Sequence, residues 1–166
     1  MDESILPLPY SPRENGVDQA RSILERFRWP NGPVCPSCGS QRPLYKQTRN
    51  GVTGYYQCPN RDNHTSGKPL VFTVRTGTLL ERSHVPLDKW LFCLAWFARL
   101  PSVHWRPTAS ALARVVNINR KTASSLLKAL EILCYGHEEV EPSDEFLLQL
   151  MKAILKDGGD LRQARR

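Results

Sequence analysis

Two thiols set as Cys35-Pro36-Ser37-Cys38, a third at Cys58 and a histidine six residues later at His64 are the side chains best suited to chemistry. Cys-x-x-Cys places two thiolates on one tight turn, and two further donors complete the tetrahedron that a structural zinc ion requires. Pro36 and Gly39 suit the turn that aims both sulfurs inward. A second Cys-x-x-Cys would put a thiol at position 61, but Arg61 stands there. His64 is therefore the expected fourth ligand, with His84 as the alternative. A redox Cys-x-x-Cys expects a strand before it and a helix directly after. Here Asn31-Gly32-Pro33 precedes the pair and Gly39-Ser40-Gln41-Arg42-Pro43 follows, which is loop on both sides. The expected cofactor is one structural Zn2+ held by Cys35, Cys38, Cys58 and His64. Cys93 and Cys134 lie in apolar helical contexts and read as small core residues.

The elements that must position these donors follow from periodicity. Val17, Ile23, Leu24 and Phe27 recur at helical spacing, so about 16–28 reads as an amphipathic helix, stopped by Trp29-Pro30-Asn31-Gly32-Pro33. Leu44–Thr48 and Val52–Gln57 read as strands joined through Asn50-Gly51, a strong hairpin signal. Leu70–Arg75 reads as a third strand. Such a sheet is too small to hold itself together without metal. After Thr76-Gly77-Thr78 the pattern becomes helical. Pro86 suits a first helical position, and Leu87, Trp90, Leu91, Leu94, Ala95 and Phe97 form an apolar stripe to about Leu100. Ser143 can cap a last helix with the stripe Phe146, Leu147, Leu150, Ile154 and Leu155, before Gly158-Gly159 and a basic tail.

Ala109–Val116 and Arg120–Leu133 flank the turn Asn117-Ile118-Asn119 and have the pattern of a helix-turn-helix. Leu112, Val116, Ile118, Ala123 and Leu126 fill the buried slots, with Ala113 as the small residue at the crossing. Asn117 can adopt the left-handed conformation the turn demands, and Asn119 can cap the second helix. The outward face then carries Arg120, Lys121, Thr122, Ser124, Ser125 and Lys128, which can reach phosphates and base edges in a major groove. On the ribbon, Lys46, Arg49, Lys68 and Arg75 are the candidate phosphate contacts.

Charge agrees with that assignment. The chain of 166 residues carries a net charge of +7. Residues 33–85 hold seven Lys/Arg against two acids, and residues 99–133 hold six against one. Positive charge so placed attracts a polyanion, and nucleic acid is the usual one. No run of eighteen apolar residues exists and the N-terminus lacks the basic start of a signal peptide, so no membrane association is expected. The expected localisation is cytoplasmic, bacterial or phage-encoded and nucleoid-associated. The fold class expected is α+β: a small antiparallel zinc ribbon inserted between an N-terminal helix and a mostly α-helical helix-turn-helix domain. The divisions are 1–32 for tail and helix, 33–78 for the ribbon, 79–135 for the helical domain and 136–166 for the C-terminal amphipathic helix and basic tail.

Two blocks carry a resemblance. The run Leu24-Glu25-Arg26-Phe27-Arg28-Trp29-Pro30-Asn31-Gly32-Pro33-Val34-Cys35-Pro36-Ser37-Cys38-Gly39-Ser40 is similar to the start of bacterial insertion-sequence transposases with an N-terminal zinc ribbon, the Merlin-related DDE group. So is Phe72-Thr73-Val74-Arg75-Thr76-Gly77-Thr78-Leu79-Leu80-Glu81-Arg82-Ser83-His84-Val85-Pro86-Leu87-Asp88-Lys89-Trp90. The resemblance implies a ribbon and helix-turn-helix that bind an element's terminal inverted repeats, with Cys35, Cys38 and Cys58 as metal ligands. Where those proteins have a second Cys-x-x-Cys, this chain has a longer loop containing His64. They also continue into a nuclease whose carboxylates hold two metal ions. Only 33 residues follow Leu133 here, and Glu141, Asp144 and Glu145 read as the acidic start of a helix. The expectation is therefore a non-enzymatic, sequence-specific double-stranded-DNA-binding protein, whose C-terminal helix packs on the domain or serves a protein partner or homodimer. The other reading is an adaptor or targeting subunit of a larger nucleoprotein complex, binding protein or RNA through the same surfaces.

Overall fold

A computed structural model of the chain describes residues 16–41, 45–49, 52–60, 64, 70–99, 107–134 and 143–156. In chain order its elements are α1 (Val17–Arg28), β1 (Tyr45–Arg49), β2 (Val52–Cys58), β3 (Leu70–Phe72), α2 (Leu87–Phe97), α3 (Ala109–Val116), α4 (Arg120–Cys134) and α5 (Asp144–Leu155). Among these described residues no helix is long and apolar enough to cross a membrane.

The strands form one antiparallel sheet in the order β1-β2-β3. Tyr45 lies opposite Gln57 and Lys46 opposite Tyr56, with an irregularity between Gln47 and Arg49. The Asn50-Gly51 turn lies outside the described residues. On the other side Tyr56 faces Phe72 and Cys58 faces Leu70. The third strand stops at Phe72 rather than running to Arg75. Its extension is lost to threonine hydroxyls that compete for the backbone. Thr73 N donates to Thr76 Oγ1 at 3.0 Å and Arg75 N to Thr73 Oγ1 at 3.2 Å, which turns the chain.

Helix α1 covers one face of this sheet. Ala20, Ile23 and Leu24 are buried, and Trp29 meets Tyr56 and Phe72 edge-on at 5.7 and 5.9 Å. Polar bonds fix the docking angle. Tyr56 Oη donates to Glu25 Oε2 at 2.9 Å. Arg28 Nη1 and Nη2 donate to the carbonyls of Val74 and Thr76 at 2.7 and 2.8 Å. Gly54, at φ +95°, lets β2 approach α1: a Cβ there would lie 2.3 Å from Arg21 Cδ.

The helical half is organised around α2, which packs against α1, α3 and α5. That explains why Leu87, Trp90, Leu91, Cys93, Leu94 and Phe97 are buried on more than one side of the helix. Pro86 is the residue before the helix rather than its first, because its ψ of 149° is extended. The apolar stripe of α5 (Phe146, Leu147, Leu150, Met151, Ile154 and Leu155) is wholly buried in the chain's own core, against α2 and α4. The C-terminal stripe thus packs on the chain's own domain. Its amphipathicity is satisfied internally, with each fully buried side chain contributing about 1.5–3 kcal/mol. The observed α+β architecture is a small antiparallel sheet with helices on one side and beyond it.

Candidate metal centre and basic helix face

Cys35 and Cys38 sit on a turn closed by two backbone bonds, Gly39 N to Cys35 O at 2.9 Å and Cys35 N to Ser40 O at 3.1 Å. Gly39 supplies the positive φ (+67°) that this closure needs. Cys58 is the last residue of β2, and His64 stands six residues further along the chain. Their ligand atoms all lie within 4.8 Å of one another.

The separations test the fit to zinc. Zn–S bonds of about 2.3 Å and a Zn–N bond of about 2.0–2.1 Å at tetrahedral angles give edges of about 3.8 Å for S···S and 3.5 Å for S···N. Cys38 Sγ and Cys58 Sγ are 3.7 Å apart, and Cys35 Sγ and His64 Nε2 are 3.5 Å apart. The four residues are placed to bind one zinc ion, with His64 Nε2 as the nitrogen ligand. His84 is not in the cluster; it is exposed on the loop before α2. Three sulfurs and one nitrogen close the coordination sphere, which is the pattern of a structural rather than a catalytic zinc.

The protein environment treats the thiols differently. A backbone hydrogen bond from Ser40 draws Cys38 down to about 7, with His64 and the other two thiols adding to the effect against some burial. Burial pushes Cys58 up to about 11. The half-exposed thiol is thus about half ionised at neutral pH, whereas the ion must displace a proton from the buried one.

The second candidate surface is the α3–α4 pair. Thr108 Oγ1 caps α3 by accepting from Ala111 N at 3.2 Å. Asn117 adopts the left-handed conformation (φ 56°, ψ 59°), and the Ile118 N–H returns to the Ala113 carbonyl at 3.0 Å. Asn119 Oδ1 then accepts from Thr122 N at 2.8 Å, opening α4. Leu112, Val116, Ala123 and Leu126 are buried between the helices, with Ala113 and Ile118 half-buried beside them. The turn reading at Asn117 and Asn119 is thus met atom by atom.

Arg120, Lys121, Ser125 and Lys128 are exposed on α4, and Thr122 and Ser124 are half-buried. Ser125 Oγ donates back to Lys121 O at 3.3 Å. Among the described residues none engages the charged ends of Arg120, Lys121 or Lys128. Arg114 is a further exposed cation, on α3, and was not among the sequence candidates. Nor was Lys89, whose Nζ donates to the Asn117 carbonyl and so fixes the turn to α2. Periodicity gave no sign of either, because their roles depend on the packing of helices distant in sequence.

The ribbon candidates fare differently. Lys46 and Arg49 fall on β1, opposite Tyr56 and Val52 in register, while Lys68 lies outside the described residues. Arg75 is engaged by its own chain. Its Nη1 donates to Ser83 O at 2.6 Å and its Nη2 to Val85 O at 2.7 Å, and burial lowers its pKa. Because β3 ends at Phe72, the chain has already turned at Arg75, and the guanidinium faces its own loop.

Residues 18–60, which span α1, the Cys35–Cys38 turn, β1, β2 and Cys58, match the family model of the transposase zinc-ribbon domain. The match ends before His64. The chain is also 34% identical over 83 residues to an uncharacterized protein in the transposable element ISH50 of Halobacterium salinarum. That alignment covers 49% of this chain, which spans about a quarter (25%) of the relative's length. No solved structure matches.

Proposed function

We propose that this chain is a sequence-specific DNA-binding protein of transposon origin, in which the zinc ribbon and α3–turn–α4, read as a helix-turn-helix, engage one duplex. The observation that carries the reading is the outward face of α4, where Arg120, Lys121 and Lys128 stand in solvent with two half-buried hydroxyls between them. In a major groove the cations reach phosphates and guanine edges, while Thr122, Ser124 and Ser125 offer hydroxyls to either base edges or phosphates. The zinc orders the ribbon, and α1 ties that ribbon to α2 and hence to the helix pair.

The reading assigns no chemical step to the described residues. Their metal-binding grouping is the Cys/His cluster, and a closed four-donor site leaves no position for an activated water. The protein acts either as a regulator at such a sequence or as the DNA-targeting part of a larger assembly. A gel shift with duplex DNA, lost in the Arg120→Glu plus Lys121→Glu variant, supports the reading. A complex that persists unchanged in that variant overturns it in favour of an adaptor held by other surfaces.

A further inference from the structure

Between the exit of the ribbon and the helix pair lies a cleft of about 200 Å³, with the polar residues His84, Lys89, Asn117, Asn119 and Thr122 on its walls and Val85, Pro86 and Ile118 as its apolar part. No carboxylate is in its lining among the described residues. Of the polar side chains two are basic and three carry amide or hydroxyl donors. A phosphate oxygen only accepts hydrogen bonds, so polar groups that are all donors, with no acid among them, suit it.

One wall is built unusually firmly. His84 is exposed, but the carbonyls on either side of it, Ser83 O and Val85 O, are both held by the Arg75 guanidinium. Ser83 Oγ in turn accepts from Trp90 Nε1 at 2.8 Å and from Val85 N at 3.2 Å. The backbone that presents His84 is therefore fixed from β3's exit and from α2 at once. A contact group on a fixed backbone loses less conformational freedom when it binds. The facing wall is the turn Asn117-Ile118-Asn119 and Thr122 in the first turn of α4, next to Arg120 and Lys121. Asn119 Oδ1 already accepts from Thr122 N, so the amide NH2 is the group left to donate. Lys89 gives one of its three N–H donors to Asn117 O.

We propose that this cleft seats a backbone phosphate of duplex DNA, with His84 as a donor and Lys89 as the charge. The proposal rests on the DNA-binding reading and deepens it, adding the loop 83–85 as a third element of the interface. Arg75 then serves as a positioning residue: it holds the phosphate-binding loop rather than the phosphate.

The test uses the full chain and a random-sequence duplex of about 30 base pairs, since phosphate contacts carry no sequence information. His84→Glu and His84→Arg are both compared with the wild type by fluorescence anisotropy, with zinc content and thermal midpoint as controls on folding. The expected result is that His84→Glu weakens binding at least tenfold. His84→Arg should strengthen it and steepen the log–log salt slope by about 0.9. Both variants binding within twofold of the wild type overturns the cleft, while loss in Arg120→Glu plus Lys121→Glu keeps the DNA-binding reading intact. A wild-type chain that binds no duplex overturns both.

Discussion

Reversing Arg120 and Lys121 is the perturbation with the most to say about this molecule, and its size can be worked out in advance. With Arg75 held internally and the cleft at Lys89 left aside, the candidate cations of α4 and the ribbon are Arg120, Lys121, Lys128, Lys46, Arg49 and Lys68. Counterion release gives about −0.9 per phosphate contact, so six contacts predict a log–log salt slope of about −5. Affinity then falls about a thousandfold between 50 and 200 mM salt. Removing two contacts lowers the slope to about −3.5, and at about 0.1 M salt costs about 60-fold in affinity before any repulsion from the new carboxylates. Because both side chains are exposed and bonded to no described neighbour, the substitutions should leave zinc content and thermal midpoint unchanged. Anisotropy titrations across a salt series measure slope and affinity together. A wild-type slope near zero, or a variant slope equal to it, refutes the electrostatic reasoning even if some complex forms.

Other outcomes are fixed by the ribbon. His64→Ala should weaken zinc binding more than the roughly 10–100-fold typical of outer-sphere changes, because it removes a ligand, while His84→Ala leaves it untouched; competition with a chromophoric chelator decides. Zinc affinity should fall as pH drops from 8 to 6, since Cys58, pushed up to about 11 by burial, must lose its proton to bind. Affinity that is flat over that range counts against thiolate ligation. Gly54→Ala forces a Cβ to 2.3 Å from Arg21 Cδ at a φ of +95°. It should cost about 2–3 kcal/mol, a fall of about 5–10 °C in thermal midpoint, and a shift under 2 °C refutes the close approach. Tyr56 is pushed up to about 12 by burial and by Glu25. A group raised in the folded state stabilises it below its ordinary value near 10 and loses that contribution as pH climbs from 10 to 12, here about 1–2 kcal/mol after allowance for solvent screening. A tyrosinate titration should therefore show one late component that is absent in Tyr56→Phe.

The sequence alone determined whatever depends on short spacing. Cys35 and Cys38 on one turn, Asn117 in the left-handed region, Asn119 and Ser143 as caps and the bounds of α3 are set by interactions within a few residues, and such interactions are written in neighbouring letters. The placement of His64 over His84 was legible only as a preference; the fold decided it by bringing His64 Nε2 to 3.5 Å from Cys35 Sγ. Side-chain partners distant in sequence were not legible at all. Arg75 carries the same charge as Arg120, and composition could not tell that one would bind the carbonyls of Ser83 and Val85 while the other stands in solvent. The stripe of α5 reads equally well as a docking surface or as core, and only α2 and α4 lying against it make it core. Likewise β3 ends where threonine hydroxyls win the backbone from the sheet. Local preference fixes the pieces because its energies act within a turn of chain; which charge faces water and which apolar face is covered depends on what the rest of the chain brings alongside.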